Sequence, residues 1–151
     1  MDTQSSRKST IEFAVREFEL NSHAVVPVVD GTDLVELVRE FESAAEFDVP
    51  GGYGGLTTYS SPIKDARGHF LGRIAPYDEG TAVLLGCDCG EWGCWPLITD
   101  VTLDDHSVIW SAFEQPHRKQ RDYSGFGPFR FDRSAYERAL DQLKTDLDGL
   151  A

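Results

Sequence analysis

Three apolar runs with strand character, residues 81–87, 95–103 and 107–113, follow one another with only short turn-forming segments between them. Gly90-Glu91-Trp92-Gly93 divides the first pair and Asp104-Asp105-His106 the second. Strands joined this closely pair antiparallel, because a parallel return needs a crossover of about a dozen residues or more. The sequence therefore predicts a three-stranded meander at the centre of a sheet. In its third run Val108, Trp110 and Ala112 share one parity and Ile109, Ser111 and Phe113 the other, so both faces are expected to be covered.

The N-terminal half supplies the remaining elements. Ile11, Phe13 and Val15 alternate with Glu12, Ala14 and Arg16 as in a half-buried strand, whereas Phe18 and Leu20 fall on the opposite parity, which predicts a bulge or a strand end. Val25-Val26-Pro27-Val28-Val29 reads as a strand whose proline favours an edge, closed by a turn at Asp30-Gly31. Asp33 with Glu36 three residues on marks a helix start, and Leu34, Leu37, Val38, Phe41 and Ala45 form its apolar stripe. Residues 49–72, with Pro50-Gly51-Gly52-Tyr53-Gly54-Gly55, read as a long loop or two short strands. A last helix starts near Asp132 or Ser134, with Tyr136, Ala139, Leu140, Leu143 and Leu147 on its apolar side.

Together these elements predict an α+β fold: a mostly antiparallel sheet of about five strands, with a C-terminal three-stranded meander, packed by two amphipathic helices. The polar residues 1–9 read as a disordered N-terminal tail and residues 10–151 as a single α+β domain. A chain of 151 residues buries roughly 70% of its unfolded surface, enough for a core without disulfide or metal staples.

Charge narrows the partners. A net charge of −12 and a pI near 4.6 repel nucleic acid and anionic membranes, so a basic protein is the expected partner. The start of the chain lacks the apolar core of a signal peptide and no run reaches membrane-spanning length, which predicts a cytoplasmic protein. From Asp30 to Asp48 seven carboxylates face one arginine, Arg39, while from Pro116 to Arg133 five basic residues face two acidic ones. The stretch 117–131 interleaves basic and aromatic residues like an RNA-stacking surface. Pro128 would interrupt strand pairing there, and the overall charge opposes phosphate. Phe126, Phe129 and Phe131 are instead expected in the core, with Arg118, Arg121 and Arg130 paired to the acidic helix.

All three cysteines lie between Gly86 and Pro96, in the order Cys87, Cys89, Cys94. Cys87 and Cys89 share a strand face, and Cys89 and Cys94 bracket a four-residue loop, so the sulfurs are expected to converge. Zinc would need a fourth ligand from His117, His106 or Asp88, and the spacing matches no standard finger or ribbon. Small thiols filling gaps beneath Trp95 and Trp110 are the plainer expectation, and a Cys89–Cys94 disulfide is disfavoured by a reducing cytosol. A cysteine nucleophile would draw its base from His23, His69, His106 or His117. Neither a Gly-x-Ser-x-Gly elbow, a P-loop nor a dinucleotide fingerprint is present, so no catalytic residue and no cofactor is assigned. Gly51 to Gly55 could cradle an anion but lacks the accompanying Lys-Ser/Thr pair and reads as a flexible loop.

The order Val28-Val29-Asp30-Gly31, an acidic helix, Gly86-Cys87-Asp88-Cys89-Gly90-Glu91-Trp92-Gly93-Cys94-Trp95-Pro96, Gln115-Pro116-His117-Arg118 and Gly127-Pro128-Phe129-Arg130-Phe131-Asp132 resembles a small uncharacterised bacterial protein family. The resemblance implies a bacterial origin and carries no catalytic residue, cofactor or substrate with it. Two function classes follow from the residues themselves. One is a small acidic protein-binding module of immunity or inhibitor type, using Glu36, Glu40, Glu91 and an outward-facing Trp92. The other is a zinc-binding or thiol-dependent enzyme centred on Cys87, Cys89 and Cys94, with His117 as ligand or base.

Overall fold

The computed structural model describes residues 8–74 and 80–150. The expected tail falls partly outside them, at residues 1–7; Lys8 and Ser9 are held in place. The Ser9 N–H donates to the Arg130 carbonyl at 2.7 Å, and Lys8 lies 3.5 Å from Asp132.

The chain begins with an antiparallel hairpin of β1 (Ile11–Glu19) and β2 (Ser22–Val29), whose register slips between Glu17 and Glu19. The bulge at Phe18 is the parity break anticipated in the sequence, but Leu20 falls beyond it in the turn and is 88% exposed. A tight turn at Asp30-Gly31 leads to β3 (Thr32–Asp33) on the other side of β2. Pro27 is thus not on an edge strand. β3 pairs with Val28 and Val29, and Leu56 and Thr57 pair with Val25 and Ala24, so the proline's missing N–H falls in the gap between them.

Asp33 caps α1 (Leu34–Ala44) by accepting the Val35 N–H at 2.8 Å. Glu36 does not close a capping box; it is ion-paired with Arg39. Ala45 falls outside the helix and is exposed, while Leu34 and Val38 are fully buried. After it come β4 (Tyr53–Gly54), β5 (Leu56–Thr57), and two short helices, α2 (Ser61–Lys64) and α3 (Ala66–Phe70). The two short strands agree with one of the two readings of residues 49–72. The helices are too short to show a periodic signal.

The meander forms as expected, from β6 (Thr81–Cys87), β7 (Leu97–Leu103) and β8 (Ser107–Glu114). It is flanked by β4 on one side and β9 (Phe129–Asp132) on the other, in the order β4-β6-β7-β8-β9. β9 starts directly after Pro128, so the proline ends the preceding loop without breaking the pairing of Phe129 with Trp110. Among the described residues two antiparallel sheets, of five and four strands, therefore stand where the sequence suggested one of about five. The parity of β8 is also corrected. Ala112 adopts φ +55° at a register shift against β7, which turns Phe113 onto the buried side with Val108 and Trp110 and leaves Ala112 exposed.

Asp132 caps the final helix α4 (Arg133–Asp148) by accepting the Ala135 N–H at 2.9 Å. Tyr136, Leu140 and Leu143 are buried, with Ala139 and Leu147 packed at the margin of the core. α4 lies against β1, α3 and β9, while α1 covers β2 and β3. Aromatic rings join the layers: Phe13 meets Phe70 at 4.6 Å between centroids, and Trp110 meets Phe131 at 4.7 Å. The result is one apolar cluster shared by both sheets in an α+β architecture. Among the described residues no helix is long and apolar enough to cross a membrane.

Candidate functional site

β6 ends at Cys87, where two tight turns follow in succession. The Gly90 N–H donates to the Cys87 carbonyl at 3.1 Å, a closure that uses the left-handed backbone of Gly90 at φ +99°. The Cys94 N–H then donates to the Glu91 carbonyl at 3.1 Å, closing a single 3-10 turn over Trp92–Cys94. Three outside contacts hold this double turn. The Asp88 N–H donates to the Gly52 carbonyl at 3.0 Å, and His117 Nε2 donates to the Gly93 carbonyl at 2.7 Å. Gly86 lets the Trp92 backbone approach so closely that a β-carbon there would stand 2.7 Å from Trp92 Cα.

This folding brings the three thiols together, as the spacing predicted. The Cys89 N–H donates to Cys87 Sγ at 3.4 Å. The three are electrostatically distinct. The neighbouring Cys87 and the Glu91 backbone, and to a lesser degree Cys94, lower the Cys89 pKa from the ordinary thiol value, with desolvation and Asp88 opposing. Burial, reinforced by donation to Cys89, pushes Cys87 up to about 11. Cys94 is raised by desolvation and then by the neighbouring Cys89 charge.

The thiols do not fill gaps beneath the tryptophans. Cys87 is half-buried and Cys89 and Cys94 are exposed, while Trp110 is enclosed by Phe131 and Tyr136 instead. His117 reaches the turn, but its Nε2 is engaged with Gly93; His106 lies at the β7–β8 turn, bound through its N–H to Asp104. Asp88 Oδ1 stands 3.8 Å from Cys87 Sγ, a weak thiol contact. Among the described residues no group of three or more His, Cys, Asp or Glu side chains is arranged to hold a metal ion. His69 is buried between α3 and β6, its ring nitrogens on Val83 and Ile74, and burial lowers its pKa.

Of the residues expected at a partner surface, Glu91 and Glu40 are exposed and Glu36 is partly so. No hydrogen bond or ion pair joins Glu36 or Glu40 to Glu91 among the described residues. Trp92 is not thrust outward: it is half-buried and packs against the core. The 3-10 turn rolls the indole inward, where an open hairpin loop would have presented it.

Directly behind the thiol turn lies a polar network that the sequence reading missed. Glu42, one of the seven carboxylates between Asp30 and Asp48, is fully buried. Its carboxylate accepts from the Gly51 N–H at 2.7 Å and from the Tyr123 hydroxyl, and faces Arg121 at 3.2 Å. The Tyr53 hydroxyl lies 2.9 Å from that of Tyr123, and Trp95 Nε1 donates to the Gly51 carbonyl at 3.1 Å. Arg121 also donates to the carbonyls of Asp48 and Val49, its guanidinium 5.2 Å from the Trp95 ring and 5.3 Å from that of Phe47. Burial raises both phenols, Tyr123 to about 12, so both stay protonated donors. The glycine loop does receive an anion, and that anion is Glu42 of the same chain. The signal was in the spacing: Leu34, Val38 and Glu42 fall at i, i+4 and i+8, on the buried stripe.

Arg121 is accordingly the only one of the three named arginines that reaches the acidic helix. Arg118 stacks over Trp95 at 4.8 Å, and Arg130 Nε donates to Ser107 Oγ at 3.1 Å. Phe126 and Phe131 are buried as expected, with Phe129 packed beside them. The Glu42 network rigidifies the platform from which the thiol turn projects: Tyr53 pairs in register with Cys87, and Gly52 holds Asp88. Comparison with protein-family models, with curated protein sequences and with solved structures finds no match for this chain.

Proposed function

We propose that the chain is an acidic protein-binding module for a basic partner, and that its contact surface is the tip of the β1–β2 hairpin together with the thiol turn. The observation that carries this reading is a convergence of rings on Gly90. A β-carbon at that glycine would stand 3.1 Å from the Phe18 ring and 3.3 Å from the Tyr59 hydroxyl. Tyr59, 62% exposed, stands at this junction, and Leu20, 88% exposed, follows Phe18 by two residues in the hairpin turn. Exposed apolar groups concentrated at one place mark interaction sites more often than singly scattered ones do.

Charge argues for the chemistry of the partner. Glu17, Glu19, Asp88 and Glu91 are exposed around the same junction, on a chain of net charge −12. Such a rim accelerates encounter with a basic surface and rejects acidic ones, while the apolar centre supplies the affinity. Glu91 keeps its place at this surface. Glu36 and Glu40 act through the long-range field of α1, and Trp92 supports the turn from beneath.

A lysine-rich amphipathic peptide with one leucine anchor tests the reading, titrated into isotope-labelled protein and followed by amide chemical shifts. Binding is expected to weaken as salt rises and to shift residues 17–22, Tyr59 and 88–91. Leu20→Ser combined with Tyr59→Ser should weaken it at least about tenfold, a loss of about 1.4 kcal/mol. Shifts centred on another face, or affinity indifferent to salt and to the double substitution, overturn the proposal.

A further inference from the structure

We infer that the free edge of β1 and the flank of α4 form a cleft that takes up an extended peptide as an added strand, one carrying a basic and an acidic side chain four residues apart. The cleft lies toward the opposite end of β1 from the hairpin tip, so the inference stands apart from the function proposed above. Among the described strands β1 pairs only with β2, and beyond the Ser9 bridge to Phe131 its other edge has no strand partner. Pro27 fixes which backbone groups face that edge. It stands opposite Phe13 in the register and has no N–H to give, while the Asp30 N–H donates to the Thr10 carbonyl at 3.1 Å. The ladder to β2 therefore runs through Thr10, Glu12, Ala14 and Arg16, and the N–H and C=O groups of Ile11, Phe13 and Val15 point the other way.

A groove of about 330 Å³ runs along this stretch, with Ile11 and Phe13 on one wall and Ala135, Arg138, Ala139 and Asp146 of α4 on the other. Ile11 is 8% and Phe13 4% exposed, so backbone groups left unpaired there are poorly hydrated. A strand that pairs with them relieves that cost, and main-chain bonds of this kind are how sheet edges capture extended peptides. The two alanines leave space for a backbone beside the helix. Arg138 has no hydrogen bond or ion pair among the described residues, and Asp146 accepts from Gln142 Nε2 at 2.9 Å through one oxygen only. Glu12 alternates onto the opposite face of β1 and is exposed there.

The charges on the helix wall set the chemistry of the occupant. Asp146 follows Arg138 by about 12 Å of helix rise, which an extended chain at about 3.4 Å per residue spans in four residues. Four is even, so an acidic side chain facing Arg138 and a basic one facing Asp146 emerge on the same face, with an apolar one between them over Ala139. Direction follows from the start of α4. β9 is bridged to Ser9 at Phe131 and runs straight into the cap at Asp132, which puts Arg138 toward the Ile11 end of the cleft. An antiparallel strand, the better-bonded geometry, then carries its basic residue first and its acidic residue last. The amides that reach β1 belong to the basic, apolar and acidic residues themselves, because paired residues share a face; the amides between them face away.

The probe is the capped heptapeptide Thr-Lys-Thr-Val-Thr-Glu-Thr, titrated into the isotope-labelled chain and followed by amide chemical shifts. Saturable shifts are expected at residues 11–15 and 135–146. The charge-swapped peptide Thr-Glu-Thr-Val-Thr-Lys-Thr should bind about fivefold more weakly. N-methylation of the valine amide removes the bond to Phe13 and should weaken binding about tenfold, whereas N-methylation of the threonine after it should cost far less. Arg138→Glu combined with Asp146→Lys should reverse the preference between the two peptides, which partial unfolding would not do. No saturable binding at millimolar peptide, shifts centred on another face, or affinity indifferent to valine methylation and to charge order overturns the inference. Shifts at residues 11–15 that track protein rather than peptide concentration would make a second copy of the chain the occupant, and overturn it as well.

Discussion

The Glu42 carboxylate stands 3.2 Å from the Arg121 guanidinium, joining α1 to the loop before β9, with side-chain exposures of 0% and 8%. Removing both charges from such a pair can cost little, but removing one leaves the other desolvated without a partner. Glu42→Gln and Arg121→Met are each expected to destabilise the fold by about 3 to 5 kcal/mol, and the double variant by clearly less than their sum. Urea unfolding of the four proteins closes the cycle. Additive losses would show that the two groups are not coupled.

How far the sequence revealed this arrangement depends on which force sets each element. The meander was legible because short connections leave antiparallel pairing as the only solution, and the caps at Asp33 and Asp132 because orphan amides require an acceptor. The convergence of the thiols followed from spacing alone. The burial of Glu42 was masked by its residue type, although Val38 four residues earlier marks the buried side. The inward turn of Trp92 depends on Gly86, which admits the Trp92 backbone, and on Gly90, whose neighbours Phe18 and Tyr59 lie in distant segments and leave no local trace. The flip at Ala112 likewise comes from pairing with β7, not from its own side chain.

The thiol turn should fail at one atom. Gly86→Ala places a methyl 2.7 Å from Trp92 Cα and 2.9 Å from its Cβ, and backbone cannot step aside as a flexible side chain can. A loss of about 1 to 3 kcal/mol is expected, with altered tryptophan fluorescence as the turn is pushed off β6. Gly93→Ala is the control, because its β-carbon meets nothing within 4 Å; it should stay within about 0.5 kcal/mol of the parent. Equal effects from the two substitutions would dissociate the turn from the Gly86 contact.

His69 gives the fold a pH dependence of definite sign. Burial lowers its pKa, so the folded state binds fewer protons than the unfolded chain once the pH drops below the unfolded imidazole value of about 6.5. The stability it contributes is present above that value and declines as pH falls through it. Urea midpoints measured between about pH 7.5 and 5.5 should decrease on acidification. His69→Gln, whatever its own cost, should show a shallower decline, and parallel curves for the two proteins would assign the dependence to other groups.

Trp110 anchors the meander to α4. It is fully buried, its ring lies 4.7 Å from Phe131, and its Nε1 donates to the Tyr136 hydroxyl at 3.1 Å, which itself donates to the Phe70 carbonyl at 2.6 Å. Two substitutions separate volume from hydrogen bonding. Trp110→Ala opens a cavity at the junction of β8, β9 and α4 and should cost about 3 to 5 kcal/mol. Trp110→Phe keeps part of the ring but removes the indole donor, and should cost less. The Tyr136 hydroxyl keeps its own acceptor at Phe70, so the polar share of that loss is about 0.5 to 1.5 kcal/mol. Tyr136→Phe in the Trp110→Phe background should then have a smaller effect than in the parent, because the shared hydrogen bond is already absent. Identical effects in both backgrounds would mean that the indole and the phenol stabilise α4 independently.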